Sequence, residues 1–265
     1  MLAYRCDGDS QQPVLVLLHG LLGDKDDWQT ILPRLSRHFF CIALDLPGHG
    51  DSPALDGEPH SSGFRRVVTQ ILSTLDKLKI SHFHLLGYSL GGRIALHLAK
   101  HLIQQAPERL LSLHLESCHP GLRDDEERAL RLEQDSTWQQ KLLSLPITDF
   151  LALWYQQGVF ASLGEEQRQR LIQTRAHNRP EALSSIYLPT SLGQQTDLAL
   201  LPSELAIPWH YYVGLQDDKF LALASTWEAK QGISVTKVPG AGHNVHLAQP
   251  EAFCDALIAH LRTQA

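Results

Sequence analysis

A chain of 265 residues, 43% of them hydrophobic, is long and apolar enough for a sizeable core, in one domain with an insertion or in two small ones. Its 23 basic and 29 acidic residues leave a net charge of −6, which argues against a general nucleic-acid binder and against stable association with an anionic membrane. The four cysteines, Cys6, Cys41, Cys118 and Cys254, show no paired spacing, as expected of thiols in a reducing cytoplasm.

Met1–Asp7 lacks the basic-then-apolar pattern of a leader, and no apolar run is long enough to span a bilayer. The chain holds 15 histidines but no H-E-x-x-H and no Cys/His ligand group, so no metal site is expected. His97 and His101 share a helix face and read as solvated; His82 and His84 fit the outer face of a strand.

Pro13–Leu18 is a continuous apolar run, suited to a parallel strand buried on both faces. It ends in His19-Gly20-Leu21-Leu22-Gly23, an H-G-x turn of the kind that supplies a backbone N–H to an oxyanion hole, here from Leu21. Asp27–Leu35 reads as a short amphipathic helix, and Cys41–Asp45 as the next buried strand. Turn residues follow from Leu46 to Ser52, including His49, for which a structural role is expected. Residues 62–79 place Phe64, Val67, Val68, Ile71, Leu72, Leu75 and Leu78 on one helical face. Phe83–Leu86 is a strand that runs into Gly87-Tyr88-Ser89-Leu90-Gly91. This is G-x-S-x-G in a strand–turn–helix setting, where glycines relieve the clashes of a strained turn that exposes the serine. Leu90 supplies the second oxyanion donor, and Arg93 lies one helical turn on.

After a strand at Leu110–Glu116 the pattern changes. Residues 123–190 lose the strand signal and become charged, Gln-rich and helical, with helices expected at Asp124–Gln134, Gln139–Leu145, Ile147–Gln156 and Glu165–His177. They read as a helical lid inserted into a core formed by 1–122 and 191–265. The α/β pattern then resumes with strands at Ile207–Val213 and Ile233–Val238, a helix over 221–231 and a last helix from Pro250 to about Arg262. The fold class is α/β, a mostly parallel sheet flanked by helices.

The chain order is serine, acid, histidine: Ser89, then Asp217 past one late strand, then His243 past the next. All three fall at the carboxyl ends of expected parallel strands, where such sheets build their sites. Asp218 and His246 stand as the alternatives for acid and base. In this arrangement His243 takes the Ser89 proton, Asp217 orients the imidazole, and Leu21 and Leu90 N–H groups stabilise a developing oxyanion. Arg93, Arg128, Arg131 and Arg175 add guanidinium groups suited to a carboxylate- or phosphate-bearing substrate.

Several segments go further. The chain resembles the 2-succinyl-6-hydroxy-2,4-cyclohexadiene-1-carboxylate synthases of menaquinone biosynthesis (the MenH family), members of the α/β-hydrolase fold superfamily. The resemblance rests on Asp45-Leu-Pro-Gly-His-Gly50, Gly87-Tyr-Ser-Leu-Gly-Gly-Arg93, His119-Pro-Gly-Leu122, Trp154-Tyr-Gln-Gln157, Val159-Phe-Ala-Ser-Leu163, Asp217-x-Lys-Phe220 and Ala241-Gly-His-Asn244. It implies a cofactor-independent lyase that eliminates pyruvate from 2-succinyl-5-enolpyruvyl-6-hydroxy-3-cyclohexene-1-carboxylate, a small polycarboxylate. It also implies carboxylate binding by Arg93, Arg131 and Arg175, pocket-lining roles for Tyr88 and Trp154, and a monomer or weak homo-oligomer. The same triad serves a serine hydrolase of a small anionic ester or a C–C bond. A non-catalytic ligand-binding protein on this fold is the remaining alternative.

Overall fold

The computed structural model describes residues 1–56 and 61–262; residues 57–60 and 263–265, which the expected core segments include, lie outside it. Seven strands form one sheet: β1 (Tyr4–Asp7), β2 (Val14–Leu18), β3 (Phe40–Leu44), β4 (Phe83–Tyr88), β5 (Leu110–Glu116), β6 (Trp209–Gly214) and β7 (Val235–Val238). Their spatial order is β1-β3-β2-β4-β5-β6-β7, and every pairing is parallel except β1 with β3. Strand β1 is not anticipated by the sequence reading. Its residues are only half buried, so the apolar run that marks β2 is missing, and pairing with β3 makes it a strand.

Both faces of the sheet are covered, which is why its central strands read as unbroken apolar runs. Val16 and Leu18 pack with Phe64, Val67 and Ile71 of α2 (Gly63–Lys77) and Ile94 and Leu98 of α3 (Leu90–Gln105). Leu15 and Leu17 point the other way. They pack with Leu32 and Leu35 of α1 (Leu32–Leu35) and with Phe253 and Leu257 of the C-terminal helix Pro250–Arg262. This coverage corrects two expectations. His84 is buried, with Nδ1 2.7 Å from Ser112 Oγ, because β4 is an inner strand with helices on both sides. His97 stacks on Phe64 at 4.1 Å, and burial draws its pKa down to about 3; His101, one turn on, is exposed as expected.

Between β5 and β6 the chain builds α4 (Asp125–Ser144), α5 (Ile147–Trp154), α6 (Glu165–Arg175), α7 (Pro180–Tyr187) and the short α8 (Leu201–Glu204). Two segments expected as separate helices are one, α4, since no Gly or Pro interrupts Asp135–Gln140. Asp124 caps it by accepting from the N–H groups of Glu126 and Glu127 at 2.9 and 3.0 Å. Leu142, Phe150, Leu151, Tyr155 and Leu183 form a separate apolar cluster that takes in Leu22 from the loop after β2. The helical layer therefore packs on the carboxyl end of the sheet through that loop. Helix α9 (Asp218–Gln231), α10 (Val245–Ala248) and α11 (Pro250–Arg262) complete the chain. No helix among the described residues is long and apolar enough to cross a membrane.

Candidate active site

Ser89 follows β4 and caps α3 with φ 51° and ψ −109°, a conformation that side-chain-bearing residues avoid. Its N–H donates to Glu116 O on the neighbouring strand at 2.9 Å. The turn is tight enough to require its glycines. A Cβ on Gly87 would lie 2.5 Å from Gly91 O, and one on Gly91 would strike Leu18 O. A serine at a positive φ, wedged between two such positions, is the elbow geometry that the pentapeptide implied.

The loops after β6 and β7 bring the partners. Asp217 caps α9, with Oδ1 accepting from Phe220 N–H at 3.2 Å, so its carboxylate is aimed before any contact with the histidine. Oδ2 accepts from His243 Nδ1–H at 2.7 Å, and His243 Nε2 lies 3.1 Å from Ser89 Oγ. A carboxylate only accepts, so Nδ1 carries the proton and Nε2 is left to receive the Ser89 hydroxyl proton. Asp217 and His243 are 3% and 6% exposed, and rings of Tyr88, Phe160 and Phe220 surround the imidazole at 4.8–6.0 Å.

The alternatives lie elsewhere. Asp218 is the exposed first residue of α9. His246 is sealed behind Tyr88, paired with Glu116 at 2.7 Å and stacked on Trp28 at 4.2 Å. His49 is also fully buried, with both ring nitrogens bonded to backbone.

Ser89 opens into a cavity of about 790 Å³ that Leu21, Tyr88, Trp154, Tyr155, Phe160 and Arg175 help to line. Gly20 must be glycine, because a Cβ there would press on the Tyr88 ring at 2.7 Å; that Cβ would stand 3.5 Å from Ser89 Cβ. Leu21 N–H is therefore carried close beside the serine, and Leu90 opens α3, where the first N–H groups have no intrahelical partner. Together these elements offer a base, a proton acceptor and backbone donors around one point in space.

The arginines fall in two groups. Arg175, 6% exposed, ends α6 at the cavity wall and forms ion pairs with Asp27 and, at 3.9 Å, Asp24. Burial is the largest influence and works against its charge, but Asp27, Tyr155 and Asp24 together outweigh it and the net pKa shift is upward. Arg93 and Arg131 are not among the residues lining this cavity. Arg93 Nη1 donates to Thr190 O at 2.7 Å and the guanidinium lies over Phe64. Arg131 is held by Asp135 at 2.9 Å, and Asp135 is fixed in turn by Tyr187 and Ser191. Burial, then the charge of Arg131, press Arg93 below the usual guanidinium value, and the same two causes lower Lys219. Arg131 thus presses on both Arg93 and Lys219, while Asp135, which it pairs with, offsets part of that charge. Arg128 turns away, its Nε donating to Gly193 O at 3.4 Å.

Sequence reading missed the partners of these groups. Asp24 and Asp27 follow the H-G-L-L-G turn, and nothing local to them points to Arg175, which lies about 150 residues on. Glu116 ends an apolar strand, and only the fold shows that it meets His246.

The sheet order, the elbow and the Ser89–His243–Asp217 chain at three strand ends define an α/β-hydrolase-fold protein. The family model for that fold matches residues 13–250. Relatives are more specific. The 2-succinyl-6-hydroxy-2,4-cyclohexadiene-1-carboxylate synthase of Serratia proteamaculans (strain 568) is 40% identical over 250 residues, 94% of this chain and 93% of its own. That of Pectobacterium atrosepticum is 39% identical over 244 residues, 92% of each chain. Among solved structures, MenH from S. aureus superposes with a TM-score of 0.86 at 25% identity, covering 100% of this chain and 99% of that one. The chain belongs to the 2-succinyl-6-hydroxy-2,4-cyclohexadiene-1-carboxylate synthase family, whose members are lyases built on a hydrolase fold.

Proposed function

We propose that this protein eliminates pyruvate from 2-succinyl-5-enolpyruvyl-6-hydroxy-3-cyclohexene-1-carboxylate, with Ser89, His243 and Asp217 acting as one base. His243 Nε2 takes the Ser89 proton, and Ser89 Oγ removes the proton from the ring carbon that bears the succinyl ketone. The electrons enter an enolate whose oxygen is held by the N–H groups of Leu21 and Leu90. As the enolate collapses, the ring double bond shifts by one place and the C–O bond to the enolpyruvyl group breaks. The departing enolate takes a proton, leaving as pyruvate, and the ring is left as a diene. No bond to Ser89 and no water molecule are needed.

The observation that carries this reading is the presence of Arg175 and Ser89 in one cavity. A guanidinium there suits a substrate carboxylate; Arg93 and Arg131 stand outside the cavity lining, and carboxylate binding by them rests on the family resemblance. The aromatic wall, Trp154 and Tyr88 among it, suits the ring. Helices in 123–190 serve as the lid that keeps water from the enolate. We read the protein as a cytoplasmic monomer or weak homo-oligomer acting on a small soluble substrate. The test is to replace Arg93, Arg131 and Arg175 singly by alanine. KM for the enolpyruvyl substrate is expected to rise about tenfold or more for each lost charge-assisted bond, while cleavage of a neutral p-nitrophenyl ester changes little. Unchanged KM in all three variants would remove the substrate assignment.

A further inference from the structure

The loop after β2 and the loop after β3 hold each other through a reciprocal pair of histidine–amide bonds. His19 Nε2, in the first loop, accepts from Leu46 N–H of the second at 2.9 Å. His49 Nε2, in the second, accepts from Leu22 N–H of the first at 3.2 Å. Each ring commits its other nitrogen to a backbone carbonyl: His19 Nδ1–H donates to Gly20 O at 2.7 Å, His49 Nδ1–H to Pro47 O at 3.1 Å. Carbonyls only accept, so each ring is neutral and locked in one tautomer. The two rings meet edge to face at 4.9 Å and are sealed from solvent.

These bonds converge on the turn Gly20–Gly23, closed by Gly23 N–H to Gly20 O at 3.1 Å. The Gly20 carbonyl and the Leu21 N–H belong to one peptide unit, which is planar and trans. Fixing the carbonyl on His19 therefore aims the Leu21 N–H in the opposite direction. The next residue, Leu22, sits at φ 67°, a turn position that favours glycine or asparagine. Its conformation is held from both sides, N–H by His49 and carbonyl by Asn178 Nδ2 at 2.9 Å. Asn178 also donates to Arg175 O at 3.0 Å, so the same amide ties the turn to the end of α6.

We propose that His19, His49 and Asn178 are positioning residues that set the Leu21 N–H for the anion developing beside Ser89. They touch no reacting atom; they act through the turn. This rests on the reading of Leu21 as an oxyanion donor. It also gives the buried His49 of the D-L-P-G-H-G loop a task that nucleophilic or acid–base chemistry does not.

The test compares His49→Leu, His49→Gln and Asn178→Ala. Two readouts are taken: kcat and KM for pyruvate release, and the rate at which a fluorophosphonate labels Ser89, whose phosphoryl oxygen uses the same donors. His49→Leu and Asn178→Ala are expected to lower kcat and labelling together by about tenfold or more, a fraction of the loss when an oxyanion donor is removed outright. KM should stay within about threefold, and His49→Gln, whose Oε1 can accept from Leu22 N–H, should recover most of the rate. If His49→Leu does not fold, Asn178→Ala and His49→Gln decide. Unchanged kcat and labelling, or a loss confined to KM, would overturn the proposal. If the wild type releases no pyruvate yet the variants label slowly, the positioning role stands and the reaction assignment falls.

Discussion

Arg175 and Asp27 form a buried ion pair in the wall of the cavity that holds Ser89, with both side chains 8% exposed. A guanidinium in that position is costly unless an anion answers it. Asp27 answers it. Asp27→Asn leaves the buried charge with only the more distant Asp24 at 3.9 Å and is expected to lower stability by about 3 kcal/mol. Thermal unfolding reads this as a Tm lower by roughly 10 °C for a chain of this size. An unchanged Tm would mean that the pair contributes nothing to the fold.

Glu116 governs a second contact beneath the site. Its Oε1 accepts from Val245 N–H at 2.6 Å and His246 N–H at 3.1 Å, and its Oε2 from His246 Nδ1–H at 2.7 Å. These bonds anchor the segment that begins two residues after His243. In Glu116→Gln an amide NH₂ would face a donor, so one bond is lost and one N–H is left unanswered. Stability in urea is expected to fall by about 2 kcal/mol, and kcat to fall with it while KM changes little. Full retention of both would show that the anchor is dispensable.

Acid should unfold the protein through its buried histidines. His19, His49 and His114 are sealed from solvent and His210 is 5% exposed; burial lowers the pKa of each, that of His210 to about 3. The unfolded chain takes up protons near an ordinary imidazole value of about 6.5, where the folded chain stays neutral. Stability is therefore fully present above about pH 6.5 and is lost as pH falls toward the folded values. Each such group contributes up to about 1.4 kcal/mol per pH unit between its unfolded and folded values. The urea midpoint is expected to drop below pH 6.5 and the native near-ultraviolet circular dichroism to vanish before pH 4. A flat stability profile from pH 7 to 4 would show that these rings are not held neutral.

The parts of the molecule that were legible in the sequence are those with local causes. Leu15–Leu18 and Ile42–Leu44 read as buried strands because helices cover both faces of the sheet. Ser89, Asp217 and His243 were legible because each follows a strand and is flanked by turn residues, and the structure brings them into one hydrogen-bonded chain. What was not legible depends on contacts across the fold. Strand β1 exists through its partner β3. His84 found Ser112 on the next strand, and His97 found Phe64 on the neighbouring helix, so both were misread as solvated. Arg93, Arg131 and Arg175 were visible as residue types, but their division between a cluster around Asp135 and a pair with Asp27 follows from packing. The His19–Leu46 and His49–Leu22 bonds join positions 27 residues apart, and no local pattern announces them.

The most direct test of the reaction is pyruvate release from the enolpyruvyl-succinyl substrate, followed by coupling to lactate dehydrogenase, beside a p-nitrophenyl ester control and the Ser89→Ala variant. Rapid pyruvate release, weak ester cleavage and a loss of about a thousandfold or more in Ser89→Ala are expected. Brisk ester cleavage without pyruvate, or near-wild-type pyruvate release from Ser89→Ala, would contradict a lyase driven by the serine base.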